Sequence, residues 1–332
     1  MESPITENQE SGSLVDVKNL SVEYYSFGVY KRAISDISFN LNRGEVLGIL
    51  GESGSGKSTI AWSIMGMIEP PHKISGTIEF EGKGNILKYS PKELQNYRWK
   101  KIAMVFQTTM NSFDPLAIVG KSFASLLIEK GIATNYKSAR LQVIKLFRQF
   151  NLPDTTYNLF PFELSGGMKQ RISIAMSIAC DPIVLIADEP TTALDTVSQF
   201  GVLLILKQII QKRKVKGMIY ITHDISVHFI MDDRVMVMLG GRIVEYGTKD
   251  EIYRDAKHPY TIYLLAQSMQ DKYKVASISI KKNNQVKHQN MQGDSYCPFV
   301  NHCPFSMPRC TQSFPTASSI SETHKVYCYI YG

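Results

Sequence analysis

The chain has 332 residues, of which 44% are hydrophobic and 20% charged, and a formal net charge of +7. This is ordinary globular material, long enough for one large α/β domain and a smaller appendage. The longest apolar candidate, 201–210, is broken by Lys207, so no membrane span is expected, and the scattered basic residues suit a solvated surface, an anionic membrane face or nucleic acid without deciding among them.

Residues 1–13 are polar and lack the apolar region of a secretory signal, which points to a cytoplasmic location. Three segments, 14–17, 21–25 and 37–41, alternate near period two and read as half-exposed antiparallel strands. The run Val46-Leu47-Gly48-Ile49-Leu50 is continuously apolar instead, as are 183–187, 218–221 and 235–239. Buried parallel strands require that pattern. A mixed α/β sheet is therefore expected.

Directly after the first of these runs stands Gly51-Glu52-Ser53-Gly54-Ser55-Gly56-Lys57-Ser58, followed by a helix-compatible stretch from Thr59. The spacing is that of a phosphate-binding loop. Its glycines let backbone N–H groups turn inward around polyphosphate, Lys57 reaches the β- and γ-phosphates, and the Ser58 hydroxyl ligates Mg²⁺. Residues 91–164 then show longer helical periodicities, as in 139–147, and read as a helical insertion.

The segment Leu164-Ser165-Gly166-Gly167 precedes an apolar-periodic helix and offers a second anion site at a helix N-terminus. Run 183–187 ends in Asp188-Glu189, two carboxylates at the carboxyl end of a buried strand, where open α/β sheets bind ligands. Asp188 suits the Mg²⁺ shell and Glu189 the attacking water. Gln107 follows Met104-Val105-Phe106, Asp195 follows Ala193-Leu194, and His223 follows the run 218–221 through Thr222.

Taken together, and in this order, these motifs resemble the ATP-binding subunits of ABC transporters over about 14–250. The resemblance implies a P-loop NTPase core with an antiparallel β subdomain and a helical subdomain at about 91–165. It also implies two subunits closing head to tail on ATP and Mg²⁺. Gly51, Ser53, Gly54, Ser55, Gly56, Lys57, Ser58 and Thr59 would hold phosphate and Mg²⁺, with Asp188 and Gln107 completing the metal's surroundings. Gln107 would also sense the transmembrane partner. Ser165, Gly166 and Gly167 would contact the partner's nucleotide, Asp195 the opposite site, and His223 the γ-phosphate beside the catalytic Glu189. Tyr24 sits where the family stacks an aromatic ring on adenine, with Tyr25 as the alternative.

The phosphate loop, the segment 186–195 and His258-Pro259-Tyr260-Thr261 together resemble more particularly the oligopeptide and dipeptide importer ATPases. That branch also includes transporters for nickel and oligosaccharides. It implies a motor at the cytoplasmic face of the cell membrane, with a second, non-identical ATPase subunit, two transmembrane permeases and an external solute-binding protein, and no nucleic acid. The alternative class is a soluble ABC ATPase acting on nucleic acid or ribosomes. The segment 106–115 departs from the family pattern at Thr108-Thr109, where the membrane subunits dock.

Beyond 250 an extension is expected. It comprises helical residues, a Lys-, Asn- and Gln-rich linker at 271–296, and a Cys-rich segment at 297–328. Cys297, Cys303, Cys310 and Cys328 lack the tight C-x2-4-C pairs of zinc sites. Four thiolates suit an iron–sulfur cluster, and the resemblance implies [4Fe-4S]; zinc or no bound metal are the alternatives. Such a cluster would staple a small domain with little core of its own, while His302 and His324 read as surface side chains and Cys180 as packing.

Overall fold

The computed structural model describes residues 12–106, 113–192, 194–268 and 296–332. Gln107 and Thr108-Thr109 lie outside the described residues, as do 271–295 of the expected linker. The chain opens with two long antiparallel strands, β1 (Ser13–Ser26) and β2 (Val29–Asn42), followed by β3 (Val46–Gly51) and helix α1 (Lys57–Ile64). Then come β4 (His72–Phe80), α2 (Pro91–Tyr97), β5 (Ile102–Val105), α3 (Val119–Glu129), α4 (Tyr136–Gln149) and α5 (Gly166–Ile178). After these follow β6 (Val184–Asp188), α6 (Thr196–Gln211), β7 (Gly217–Ile221), α7 (Ile225–Met231), β8 (Arg234–Leu239) and β9 (Arg242–Thr248). Two helices, α8 (Lys249–Asp255) and α9 (Pro259–Ser268), and two short strands, β10 (Ser318–Ser319) and β11 (Lys325–Val326), complete the described chain.

These strands form a three-stranded antiparallel sheet, β2-β1-β4, and a larger mixed sheet, β10-β11-β9-β8-β3-β7-β6-β5. In the larger sheet β8, β3, β7, β6 and β5 run parallel, and β9 turns back antiparallel on β8. The continuous apolar runs have a plain cause. On β7, Met218 and Tyr220 join a core beneath the helical insertion, whereas Ile219 and Ile221 join a core beneath the three-stranded sheet. Both faces of the strand are covered, so no polar alternation survives.

One element was not legible. Residues 102–105 fall within the stretch expected to be helical, yet they form the edge strand β5 paired with β6. Four apolar residues are too few for periodicity to separate strand from buried helix. The segment 296–332 also differs from the staple expected for a small coreless domain: Phe299, Val300, Cys297 and Cys310 share one hydrophobic cluster with Val235, Val237, Val244, Ile252 and Tyr260. In addition, β11 pairs directly with β9.

His324 is a correction. It is not a surface residue but is buried, with Nε2 2.7 Å from Oε1 of the equally buried Glu245. Glu245 also accepts the N–H groups of Lys257 and His258. One carboxylate thus joins β9, the start of α9 and the C-terminal segment, and four polar groups that would otherwise be orphaned satisfy one another.

Gly48, in the middle of β3, shows how tightly the central strand is covered. A Cβ there would lie 1.7 Å from Oδ2 of Asp232 and 2.7 Å from Nδ1 of His228. Overpacking of this kind costs about 1–3 kcal/mol or more. Gly48→Ala is expected to lower the melting temperature, and adding Asp232→Ala to restore much of it; an unaltered melting temperature in the single variant would contradict the packing described.

Candidate functional site

The parallel strands end on one edge of the sheet, and the loops leaving that edge carry the chemistry. After β3 the chain turns through Gly54 and Gly56, both left-handed with φ of 78° and 97°, a region that favours glycine. Gly56 also passes so close to Ile34 that a Cβ would lie 2.5 Å from its side chain. The turn delivers Lys57 and Ser58 as the first residues of α1.

Lys57 is 6% exposed, and its ammonium donates to the carbonyls of Gly51 at 2.8 Å and Glu52 at 2.7 Å. Burial lowers its pKa, partly offset by Glu189, Asp188 and Glu52. A desolvated cation with three carboxylates around it is poised to accept polyphosphate. Asp188, at the end of β6, has its carboxyl raised by burial, with the Ser58 hydroxyl acting in the opposite sense. Its Oδ1 is buried with no hydrogen-bond partner among the described residues. An orphaned carboxylate oxygen beside a serine hydroxyl and a phosphate loop fits the donor set of Mg²⁺.

Glu189 adopts φ 47°, left-handed for a non-glycine residue, and its N–H donates to the Ile221 carbonyl of β7 at 2.8 Å. Strain of this kind persists only where surrounding bonds hold it. The Thr192 hydroxyl donates to Oε2 at 2.7 Å, and Nδ1 of His223 lies 3.2 Å from Oε1. Burial alone would raise this carboxyl; the Thr192 hydroxyl, the His223 ring and the Lys57 charge outweigh it and hold the group below its ordinary value. An ionised, oriented carboxylate beside an exposed imidazole can polarise a water molecule.

The structure therefore brings Lys57, Ser58, Asp188, Glu189 and His223 together. Ser165, Gly166, Gly167 and Asp195 share no hydrogen bond with them among the described residues. Ser165 is exposed and caps α5 by accepting the Met168 N–H, while Asp195 is exposed and caps α6 by accepting that of Ser198. Gly167 packs against Ser198, which a Cβ would approach to 2.8 Å. This second cluster is made of two adjacent helix N-termini, and no hydrogen bond joins it to the phosphate loop among the described residues.

Tyr24 is half-buried with its hydroxyl turned toward Thr59, where burial raises its pKa. Tyr25 is exposed and pairs with Tyr30 at 5.1 Å. Sequence reasoning missed Thr192, although its place three residues after Glu189 is the signal. It also missed His228 and Asp232, whose i, i+4 spacing after Thr222-His223 put both on one helix face.

Cys297, Cys303, Cys310 and Cys328 line one small cavity together with His258, Met307 and Tyr329. Burial pushes Cys297 up to about 12 and Cys303 up to about 11, and raises Cys328. Among the described residues, no three potential ligands are grouped as for a single metal ion.

Residues 34–192 match the family described as ABC transporter, and residues 244–310 match the oligopeptide/dipeptide transporter C-terminal region. The oligopeptide transport ATP-binding protein OppD of Bacillus subtilis (strain 168) is 44% identical over 257 residues, covering 76% of this chain and 71% of that protein. The dipeptide transport ATP-binding protein DppD of the same organism is 35% identical over 327 residues, covering 96% and 94%. Among solved structures, a dimeric ATP-binding cassette in a post-hydrolysis state bound to ADP and Pi has 27% identity and a TM-score of 0.63. That match covers 71% of this chain and 98% of the cassette.

Thr192→Val removes one hydrogen bond from Glu189 without changing side-chain volume much. It is expected to lower kcat for ATP about tenfold or more, on the order of one lost charge-assisted bond, with KM little changed. A wild-type kcat would remove Thr192 from the site.

Proposed function

This chain belongs to the ABC transporter family of ATP-binding proteins, and we propose that it is the ATP-hydrolysing motor of a di- and oligopeptide importer. The observation that carries the peptide reading is the matched oligopeptide/dipeptide C-terminal region, which accompanies the cassette and begins within β9, paired with β8 of its sheet. No helix among the described residues is long and apolar enough to cross a membrane. The chain works with membrane permease subunits, at the cytoplasmic face and beside a second, non-identical ATPase subunit, with an external protein delivering the solute.

In this reading the loop 51–58 holds the phosphates, with Lys57 on the β- and γ-phosphates. Thr59 flanks the loop, and Tyr24 supports the adenine. Ser58 and Asp188 hold Mg²⁺, which when bound neutralises developing phosphoryl charge. Gln107, which the resemblance would assign to the Mg²⁺ surroundings and to sensing the permeases, lies outside the described residues. Glu189 holds and polarises the attacking water, and His223 joins that carboxylate to the γ-phosphate side. Exposed Ser165 and Asp195, with Gly166 and Gly167, serve the nucleotide of the facing subunit. Their hydrogen bonds go to capping their own helices rather than to the loop, which suits this division; a site split between chains makes hydrolysis conditional on closure.

The four cysteines are proposed to hold a [4Fe-4S] cluster. What supports it is that all four thiols line one cavity, where buried neutral thiols would gain from ligation. The cluster would cross-link 297–328 internally, while the hydrophobic cluster and the β11–β9 pairing attach the segment to the sheet, and it supplies no group to ATP.

Two measurements test this. Glu189→Gln in the assembled complex is expected to abolish most ATP turnover, by about 100-fold or more, while ATP binding persists; unchanged turnover would remove the assigned base. Protein isolated without oxygen should contain iron and sulfide and absorb in the visible, and Cys297→Ser should lose both. A colourless, iron-free and fully stable protein would rule the cluster out.

A further inference from the structure

The segment that carries His223 is held from below by a pair of side chains outside the nucleotide chemistry. His228, on α7, and Asp232, just beyond it, are both entirely buried, with Nδ1 and Oδ2 2.6 Å apart. The other ring nitrogen, Nε2, lies 3.0 Å from the carbonyl of Thr222, the residue before His223. The rest of Thr222 is also fixed: its hydroxyl accepts the N–H of Asp224 at 3.1 Å.

A closed circuit results. The Glu189 N–H holds the Ile221 carbonyl, His228 holds the next carbonyl at Thr222, and the His223 ring returns to the Glu189 carboxylate. We propose that His228 and Asp232 are positioning residues: the imidazole clamps the Thr222 carbonyl, and the carboxyl holds the imidazole in the form that can do so. This rests on the ATPase reading of Glu189 and His223 given above.

Chemistry separates this role from plain packing. Two ionisable groups taken fully out of water are a costly way to fill a core, and an apolar pair of similar volume would commonly be as stable or more so. Room for the pair also comes from a third element, since any side chain at Gly48 of β3 would overlap the Asp232 carboxyl.

The proton count makes the clamp conditional. Thr222 offers only an acceptor, so Nε2 must carry hydrogen. With two protons shared by the pair, as imidazolium and carboxylate or as imidazole and acid, both bonds are satisfied. With one, either the carbonyl or the carboxylate faces a bare nitrogen. Burial pushes Asp232 up to about 6, partly offset by His228. Burial would lower His228, but the Asp232 charge and bonds outweigh it and raise the ring above its ordinary value. The other groups that face the pair are Asp224 on its own element, Asp233 in the turn before β8, Lys249 and Tyr253 from α8, and the Tyr220 ring, edge-on to His228 at 6.0 Å. Because the folded imidazole pKa is raised, the clamp is complete below the ordinary histidine range and is lost as pH rises through the folded value.

The test is steady-state ATP hydrolysis by the assembled complex from neutral to alkaline pH, with ATP binding and thermal unfolding measured on each variant. His228→Leu should lower kcat about tenfold or more, as misplacement of a reacting group does, with KM for ATP within about twofold. Asp232→Asn can still donate to Nδ1 and leave hydrogen on Nε2. It should keep kcat within about threefold of wild type and lack the alkaline fall that the pair confers. Asp232→Ala should behave like His228→Leu at neutral pH and above. If His228→Leu does not fold, the contrast between Asn and Ala at 232 decides.

Wild-type kcat in folded His228→Leu would overturn the proposal. So would equal losses in Asp232→Asn and Asp232→Ala that track their melting temperatures. A wild-type complex that does not hydrolyse ATP would instead overturn the ATPase reading beneath it.

Discussion

The site depends on the parallel hydrogen-bonded ladder of β3, β7 and β6. Val46 to Ile49 pair with Met218 to Ile221, and those with Leu185 to Asp188, so the three strands end on one edge, with β3 running on to Gly51. From that edge the chain releases the phosphate loop, the Asp188-Glu189 pair and the Thr222-His223 turn. A slip of one residue in any strand would turn its side chains to the opposite face and carry its loop out of reach. Burial on both faces prevents such a slip, because each strand contributes alternate residues to two different cores.

The same edge gathers charges that would be unfavourable without a ligand. Lys57 loses solvation, Asp188 has an unpartnered oxygen, and Glu189 bends into a left-handed backbone conformation. Each is a small cost placed where a triphosphate and its metal would relieve it. By contrast the C-terminal segment is tied to the core by hydrogen bonds of its own, through Glu245 with His324, Lys257 and His258, and through Glu251 with Ser321 and Thr323. It extends the sheet outward from β9 by the two short strands β11 and β10.

Sequence patterns read well wherever one interaction range was enough. The phosphate loop, the strand before it and the paired carboxylates are local, and glycine spacing or an apolar run marks each of them. Strand β5 was not legible, because four apolar residues carry no period, and neither was His324, whose burial depends on Glu245, 79 residues away. Thr192 and the His228–Asp232 pair were visible as residues but not as partners. Their meaning lies in which carbonyl or carboxylate they reach, and only the assembled strand ends supply that.

The most direct test of the central account, a site completed by a second subunit, is single-turnover ATP hydrolysis by the isolated chain at high dilution and by the assembled complex. The account predicts that the isolated chain binds ATP and Mg²⁺ yet hydrolyses at least about 100-fold more slowly, as when stabilising donors are absent from a transition state. Equal rates at every dilution would contradict it.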